Sequence, residues 1–203
     1  SLLAAALAAP ALHAADWKPL FNGRNLDGWE KVGDGVWGVM DGGILIGDRT
    51  PGESRDQAWL YTVQEFGQFD LELDFWTRLG GNSGVSLRDA TRGKYAVYPN
   101  HDRERTPSHN GYEIQISNAY KSDPYPTGSI YLFEKAVGGE QKPLDWNRLL
   151  IESRNDLIRV HLNGKKVCQH PGDPKRPKTG PVGLQLHDPA SVVMFKNIRI
   201  REM

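Results

Sequence analysis

With 203 residues, the chain is long enough for one sizeable hydrophobic core and, as an all-β protein, for a single domain. Lysine plus arginine and aspartate plus glutamate balance at 25 each, so the basic surplus that a nucleic-acid surface needs is missing. Glycine (22) and proline (13) are frequent and sustained helical periodicity is lacking, which favours many short strands joined by turns.

The chain opens on an apolar run, Ser1 to Ala14, that ends in small residues. It is too short to cross a bilayer and has no polar face to suit an amphipathic helix. It reads as a truncated export signal over residues 1–14, cleaved after Ala14, which would place residues 15–203 in the periplasm or outside the cell as one domain, off the membrane once the signal is removed. From Asp16 on, turn signals recur at the spacing of a sandwich or barrel. Phe21-Asn22-Gly23 begins the fold and Asn25 to Trp29 reads as a turn. Val36 to Met40 and Gly43 to Gly47 read as a hairpin joined at Asp41-Gly42. Asp48 to Asp56 is a polar loop, and Trp59 to Thr62 a short strand.

Phe69 to Trp76 alternates cleanly, with Phe69, Leu71, Leu73 and Phe75 toward a core. Gly80-Gly81-Asn82 turns the chain into the next strand. Ala90 to Asn110 is a long polar loop carrying Tyr95, Tyr98, His101, Arg103, Arg105 and His109, a length that suits a lid over a binding site. Gly111 to Ser117 is a strand, followed by a loop with Pro124 and Pro126 and a strand over Ser129 to Phe133. Arg148 to Ser153 and Leu157 to Leu162 are strands. Asn163-Gly164 is a hairpin turn returning as Lys165 to Gln169, and His170 to Gly180 is irregular. Val182 to His187 and Val192 to Ile200 close the fold.

Three of these strands share a pattern. In Gly111 to Ser117, Tyr112, Ile114 and Ile116 point one way while Glu113 and Gln115 point the other, because strand side chains have a period of two. Ser83 to Arg88 sets Ser86 and Arg88 opposite Val85 and Leu87, and Val182 to His187 sets Gln185 and His187 opposite the aliphatics. In a common sheet, these strands would give one face an acid, an arginine, a histidine and two glutamines. Glu113 and His187 are the members able to transfer protons near neutral pH, while Arg88 and the amides can orient hydroxyls or stabilise an oxyanion.

Other chemistries fit less well. Laminarinase-type glucanases place three acids at alternate positions of one strand; Glu72 and Asp74 begin that pattern, but Trp76 occupies the third position. No Gly-x-Ser-x-Gly elbow occurs, and Gly80 to Gly84 lacks the ending of a phosphate loop. The six histidines show no metal-ligand spacing, although an oxygen-ligated cation such as calcium in the loops stays compatible with the sequence. Cys168 is the lone cysteine, in a strand-like run that suits a buried, inert thiol. Six tryptophans and seven tyrosines serve either core packing or stacking on a sugar ring.

An ordered series of motifs runs through residues 17–203: Trp59 to Thr62, Asn82 to Arg88, Tyr112 to Ile116, Gly128 to Tyr131, Trp146-Asn147, Asn163-Gly164, Gly180 to His187 and Phe195 to Ile198. On these the chain resembles the 3-keto-disaccharide hydrolase domain family. The resemblance implies an all-β, concanavalin A-like or laminarinase-like jelly-roll β-sandwich of two antiparallel sheets. It further implies an enzyme that cleaves 3-keto-glycosides as a hydrolase or lyase, by C2 proton abstraction and β-elimination followed by hydration. Glu113, His187 and Arg88 are then the expected catalytic residues. Gln115, Gln185, Ser86, Tyr131 and Asn82 are expected to bind substrate, with a small carbohydrate as partner and no resident cofactor. Two departures stand out: Ser117-Asn118 follow the Tyr112 to Ile116 strand where the family often has Leu-Asp, and Leu132-Phe133-Glu134 replace a Gly/Pro stretch. A non-catalytic carbohydrate-binding module and a conventional jelly-roll glucanase are the competing readings.

Overall fold

Strands with one apolar side each have to close that side against a second layer. The computed structural model describes residues 16–49, 56–118, 123–138, 140–189 and 191–203. Its strands in chain order are β1 (Lys18–Pro19), β2 (Trp29–Val32), β3 (Val36–Met40), β4 (Ile44–Asp48), β5 (Ala58–Thr62), β6 (Phe69–Thr77) and β7 (Asn82–Leu87). They continue as β8 (Tyr112–Ser117), β9 (Asn147–Ser153), β10 (Ile158–Leu162), β11 (Lys165–His170), β12 (Val182–Leu186) and β13 (Val193–Glu202). One sheet runs β11-β10-β9-β6-β13-β4-β3, with β1 also on β13; the other runs β2-β5-β12-β7-β8. All pairings of these strands are antiparallel. Residues 1–14, read as an export signal, lie outside the described residues, as do 50–55 of the polar loop and 119–122 of the proline loop.

The core fills the space between the two sheets. Leu71, Leu73, Phe75, Leu149, Ile151 and Phe195 meet Leu60, Val85, Leu87, Ile114, Ile116 and Leu184, all fully buried. Those on β6, β7, β8 and β12 are the alternate positions that the sequence pattern assigns inward. The hairpin turn at Asn163-Gly164 has φ of 50° and 82°, the left-handed pair that a two-residue connection requires.

Three local expectations change. Trp29 opens β2, so Asn25 to Trp29 is a turn running straight into an edge strand. Ser129 to Phe133 is no strand: Ile130 makes single bridges to Ile114 and Glu134, and Leu132 turns the chain at φ 69°. The loop from Ala90 to Asn110 has structure of its own, with 3-10 turns at Lys94–Ala96 and Arg103–Arg105 and one helical turn, α1 (Pro107–Asn110). Among the described residues no helix is long and apolar enough to cross a membrane.

This loop crosses the outer face of the five-stranded sheet. Beneath it, Trp59 and Tyr61 of β5 stack at 5.6 Å and form a second, smaller apolar cluster with Ala96 and Val97. Gly183 of β12, paired with Tyr61, leaves room for that ring; a Cβ there would strike it. Gly183→Ala is expected to cost about 1–3 kcal/mol through overpacking, read as a lower midpoint in urea unfolding.

Candidate active site

The two-residue period of β8, β7 and β12 becomes chemistry because these strands are neighbours in one sheet. Ser86 pairs with both Glu113 and Gly183, and Gly84 pairs with Gln115, so the outward positions of all three strands meet on the face away from the core. Part of that face lies under the loop. The rest opens into a cavity of about 770 Å³, whose lining includes Asn82, Glu113, Gln115, Asp123, Tyr131 and His187. Across it stand His101, Arg103 and His109 of the loop and Asp56 ahead of β5.

Five of the eight expected site residues therefore share the cavity: Glu113, His187, Gln115, Tyr131 and Asn82. The other three do not line it. Arg88 is the clearest correction. It follows β7 directly at φ 61°, and the left-handed turn breaks the alternation that would have carried its side chain outward. Its guanidinium is 1% exposed and donates to the carbonyls of Gly67 at 3.1 Å and Arg154 at 2.9 Å, tying two connections together. Ser86 faces outward as expected but is sealed under Tyr61, whose hydroxyl lies 3.3 Å from Ser86 Oγ and donates to Asp89 Oδ2 at 3.1 Å. Gln185 also faces outward, yet it is fully buried with both amide atoms shielded from the cavity.

Glu113 is the electrostatic centre of the site. It is 5% exposed, and burial pushes its carboxyl from the ordinary 4.5 up to about 7. Asp123 adds to the rise, while His187 and the Gln185 amide work against it. Asp123 comes from the loop after β8 and accepts from Gln115 Nε2 at 2.6 Å and from the Tyr125 N–H at 2.8 Å. Tyr131 continues the chain beside β8, its N–H bound to the Glu113 carbonyl at 2.8 Å. Burial raises its phenol above the ordinary value, with help from Asp123 and Glu113, so it stays a donor at neutral pH. His101 Nδ1 lies 2.6 Å from Asp56 Oδ1, and His109 Nδ1 is 2.8 Å from Thr106 Oγ1.

His101, Arg103 and His109 realise the expected lid; Tyr95 and Tyr98 of the same loop do not line the cavity. Asp123 and Asp56 escaped the sequence reading. Each is a single acid in a proline-rich or polar loop, and no periodicity marks it. Asp123 puts a carboxylate at the site although Ser117-Asn118 stand where the family strand often ends in Leu-Asp.

The acids of β6 have no such freedom. Asp70 is held by Arg154 and Arg201 at 2.5 Å each, and Glu72 by Arg199 at 2.5 Å. Burial alone would raise Asp74, but hydrogen bonds from Arg148 and Asn197 outweigh it and leave the carboxyl below its usual range. A second cavity of about 560 Å³, lined in part by Trp17, Glu72, Arg148 and Arg199, sits on that sheet. Its one acid is already ion-paired, so proton transfer points to the Glu113 cavity. Cys168 is buried, its thiol pushed up by burial. Among the described residues no group of three or more His, Cys, Asp or Glu side chains is arranged to hold a metal ion.

Two antiparallel sheets, one covered by a structured loop that leaves a polar cavity open, define a concanavalin A-like jelly-roll β-sandwich. The chain belongs to the 3-keto-alpha-glucoside-1,2-lyase-like domain family, whose model matches residues 16–201. A proposed glycosyl hydrolase of Parabacteroides distasonis ATCC 8503 is 30% identical with a TM-score of 0.71, the match covering 93% of this chain and all (100%) of the other. The carbohydrate binding module CBM66 of Bacillus subtilis (17% identity, TM-score 0.58, 86% and 96% covered) shares the fold. So does a Bacillus subtilis protein of unknown function with a galectin-like fold (13% identity, TM-score 0.65, 92% and 94% covered). Among curated proteins none matches the sequence.

Two expectations follow from the geometry. Arg88→Met removes the donor from two backbone carbonyls and should cost about 2–4 kcal/mol in chemical denaturation, with KM for any substrate of the cavity unchanged. Glu113 binds a proton more tightly in the folded state than in the unfolded chain, so its ionisation penalises folding as pH rises from about 4.5 through 7. Glu113→Gln removes that penalty. Its stability relative to the parent should therefore improve by up to roughly 3 kcal/mol between pH 4.5 and pH 8, measured by urea unfolding at both values.

Proposed function

We propose that this protein is an exported carbohydrate-active enzyme that cleaves 3-keto-glycosides by proton abstraction at C2 and β-elimination, followed by hydration. In such a sugar the ketone acidifies the C2 hydrogen, and the glycosidic oxygen on C1 lies β to it. A base takes the C2 proton, and the electron pair passes into the C3 carbonyl as an enolate. The enolate then collapses, C1=C2 forms, and the C1–O bond breaks as the leaving oxygen takes a proton. Water addition across the enone restores a 3-keto sugar. This route needs one base, one proton donor and one oxyanion stabiliser, and no pair of carboxylates on one strand.

The observation that carries this reading is a buried carboxyl poised near neutrality in a polar cavity that also holds an imidazole. Glu113 is the base, because a proton affinity near the working pH combines a useful ionised fraction with a strong pull on the substrate proton. His187, at the end of β12, delivers a proton to the leaving oxygen. Tyr131, whose phenol stays protonated, takes over from Arg88 as donor to the enolate. Asn82 and Gln115 orient sugar hydroxyls. The family description supports elimination at the 1,2 bond, and the apolar leader supports export.

The test is incubation with a 3-keto-disaccharide and with its unoxidised parent, following release of the leaving sugar. Only the oxidised sugar should be cleaved, and Glu113→Gln should slow that reaction by about two orders of magnitude or more. The kcat/KM of the parent enzyme should fall on the acid side of about pH 7, where Glu113 becomes protonated. Equal cleavage of the unoxidised sugar overturns the enolate route, and binding of both sugars without turnover makes the domain a carbohydrate-binding module.

A further inference from the structure

Glu113 stands on β8, and its carboxyl lies across the neighbouring strand. The strand between β8 and β12 is β7, and at the crossing point it carries Gly84. A Cβ built on Gly84 would lie 2.7 Å from Glu113 Oε1, 3.1 Å from its Cγ and 3.3 Å from Gln185 Oε1. The bare backbone of Gly84 is thus a gap through which the acid reaches over β7 toward Gln185 on β12. Gln185 is fully buried; its amide misses strict hydrogen-bond geometry, yet it borders the same gap as the Glu113 carboxyl and acts on it as a hydrogen-bond donor. The amide lies near enough to favour the ionised carboxyl, but it is not locked to it. Burying an amide costs free energy unless a partner satisfies it, so a central strand position that packing alone dictated would be apolar.

We infer that Gly84 and Gln185 form a slot that holds the Glu113 carboxyl across β7, with Gln185 as a positioning residue that serves both protonation states of the acid. The reason is the chemistry of the amide. Its carbonyl accepts from a protonated carboxyl, its NH₂ donates to a carboxylate, and rotation of the terminal torsion exchanges the two. A base that gains and loses a proton in each turnover needs a partner of this kind; a hydroxyl offers less reach and an aliphatic chain neither function. The other groups acting on Glu113 are His187 on the β12 side and Asp123 beyond β8, while Glu113 in turn raises the phenols of Tyr131 and Tyr61. The His101–Asp56 pair, Arg103 and His109 face it across the cavity.

The slot rests on the reading of Glu113 as the base, so its test includes a readout independent of turnover. The Glu113 carboxyl is titrated by carbon-13 NMR in the parent chain, in Gln185→Leu and in Gly84→Ala, alongside thermal melts and pH–rate profiles on the 3-keto-disaccharide. Gln185→Leu should raise the titration midpoint by about one unit, because the amide that favours the ionised carboxyl is gone. Gly84→Ala should push the carboxyl toward water and lower the midpoint by about one unit. In both variants kcat should fall about tenfold or more with KM little changed, and the acid limb of the rate profile should follow the titration. A midpoint unmoved in both variants overturns the slot, as does a Gln185→Leu chain whose Glu113 titration is intact. Should Glu113→Gln keep normal turnover, the assignment of the base fails, while the NMR arms still decide whether the slot exists.

Discussion

Water exclusion around one carboxyl is the constraint on which the site depends. Glu113 sits on a sheet face that a sandwich leaves open by default, where an acid would be solvated and fully ionised at neutral pH. Here the chain folds back over it from both sides. The loop from Ala90 to Asn110 rests on Trp59 and Tyr61 on one flank, and the segment carrying Asp123 and Tyr131 closes the other. Buried this way, the carboxylate loses hydration that His187 and the Gln185 amide only partly offset, and its proton affinity climbs toward 7. The cavity is thereby a place where a carboxyl can act as a base of useful strength.

The opposite sheet shows what the same residue type does in another setting. Asp70, Glu72 and Asp74 alternate along β6 much as Glu113 and Gln115 do along β8, and they too are largely buried. Arginines from β9, β13 and the turn after β9 reach each of them, and hydrogen bonds hold Asp74 ionised. Those acids bind the sheet surface together and are spent as proton-transfer groups. The difference between the two faces is that arginines pair with the β6 acids, whereas burial is what chiefly sets Glu113. On the Glu113 face the one arginine within β7 and its immediate extension, Arg88, has been turned away to bind backbone carbonyls at the end of the sandwich.

Stability and chemistry pull against each other at this site. Burying Glu113 disfavours the folded state above the pH at which the acid ionises in the unfolded chain, and burying the polar Gln185 beside it adds a desolvation cost. The core between the sheets, with a dozen large apolar side chains fully out of water, supplies stabilisation far larger than either. Functional sites are where such local conflicts are expected, since packing elsewhere over-determines the backbone that holds them.

The two-layer architecture, the inward residues of β6, β7, β8 and β12, and the shared polar side of the last three are legible in the chain itself, because a strand's period of two is a local property. So is the turn at Asn163-Gly164, which needs backbone conformations that few residues adopt; the β3–β4 hairpin is legible too, but its turn runs over three residues, Asp41-Gly42-Gly43, with the left-handed pair at Gly42 and Gly43 rather than at Asp41-Gly42. Glu113, Gln115 and His187 could be singled out for the same reason. What local pattern cannot tell is whether an outward position ends in solvent, under a loop or in a cavity. Ser86, Gln185 and Gln115 look alike in sequence, yet Tyr61 seals the first, the sheet buries the second, and the third opens on the cavity. Arg88 departs from its strand through one left-handed residue, and Asp56, His101 and Asp123 arrive through loops whose paths follow long-range contacts. The sequence alone determined which residues turn their backs on the core; the tertiary structure decided which of them meet, because solvent exclusion belongs to the assembled layers and to no single strand.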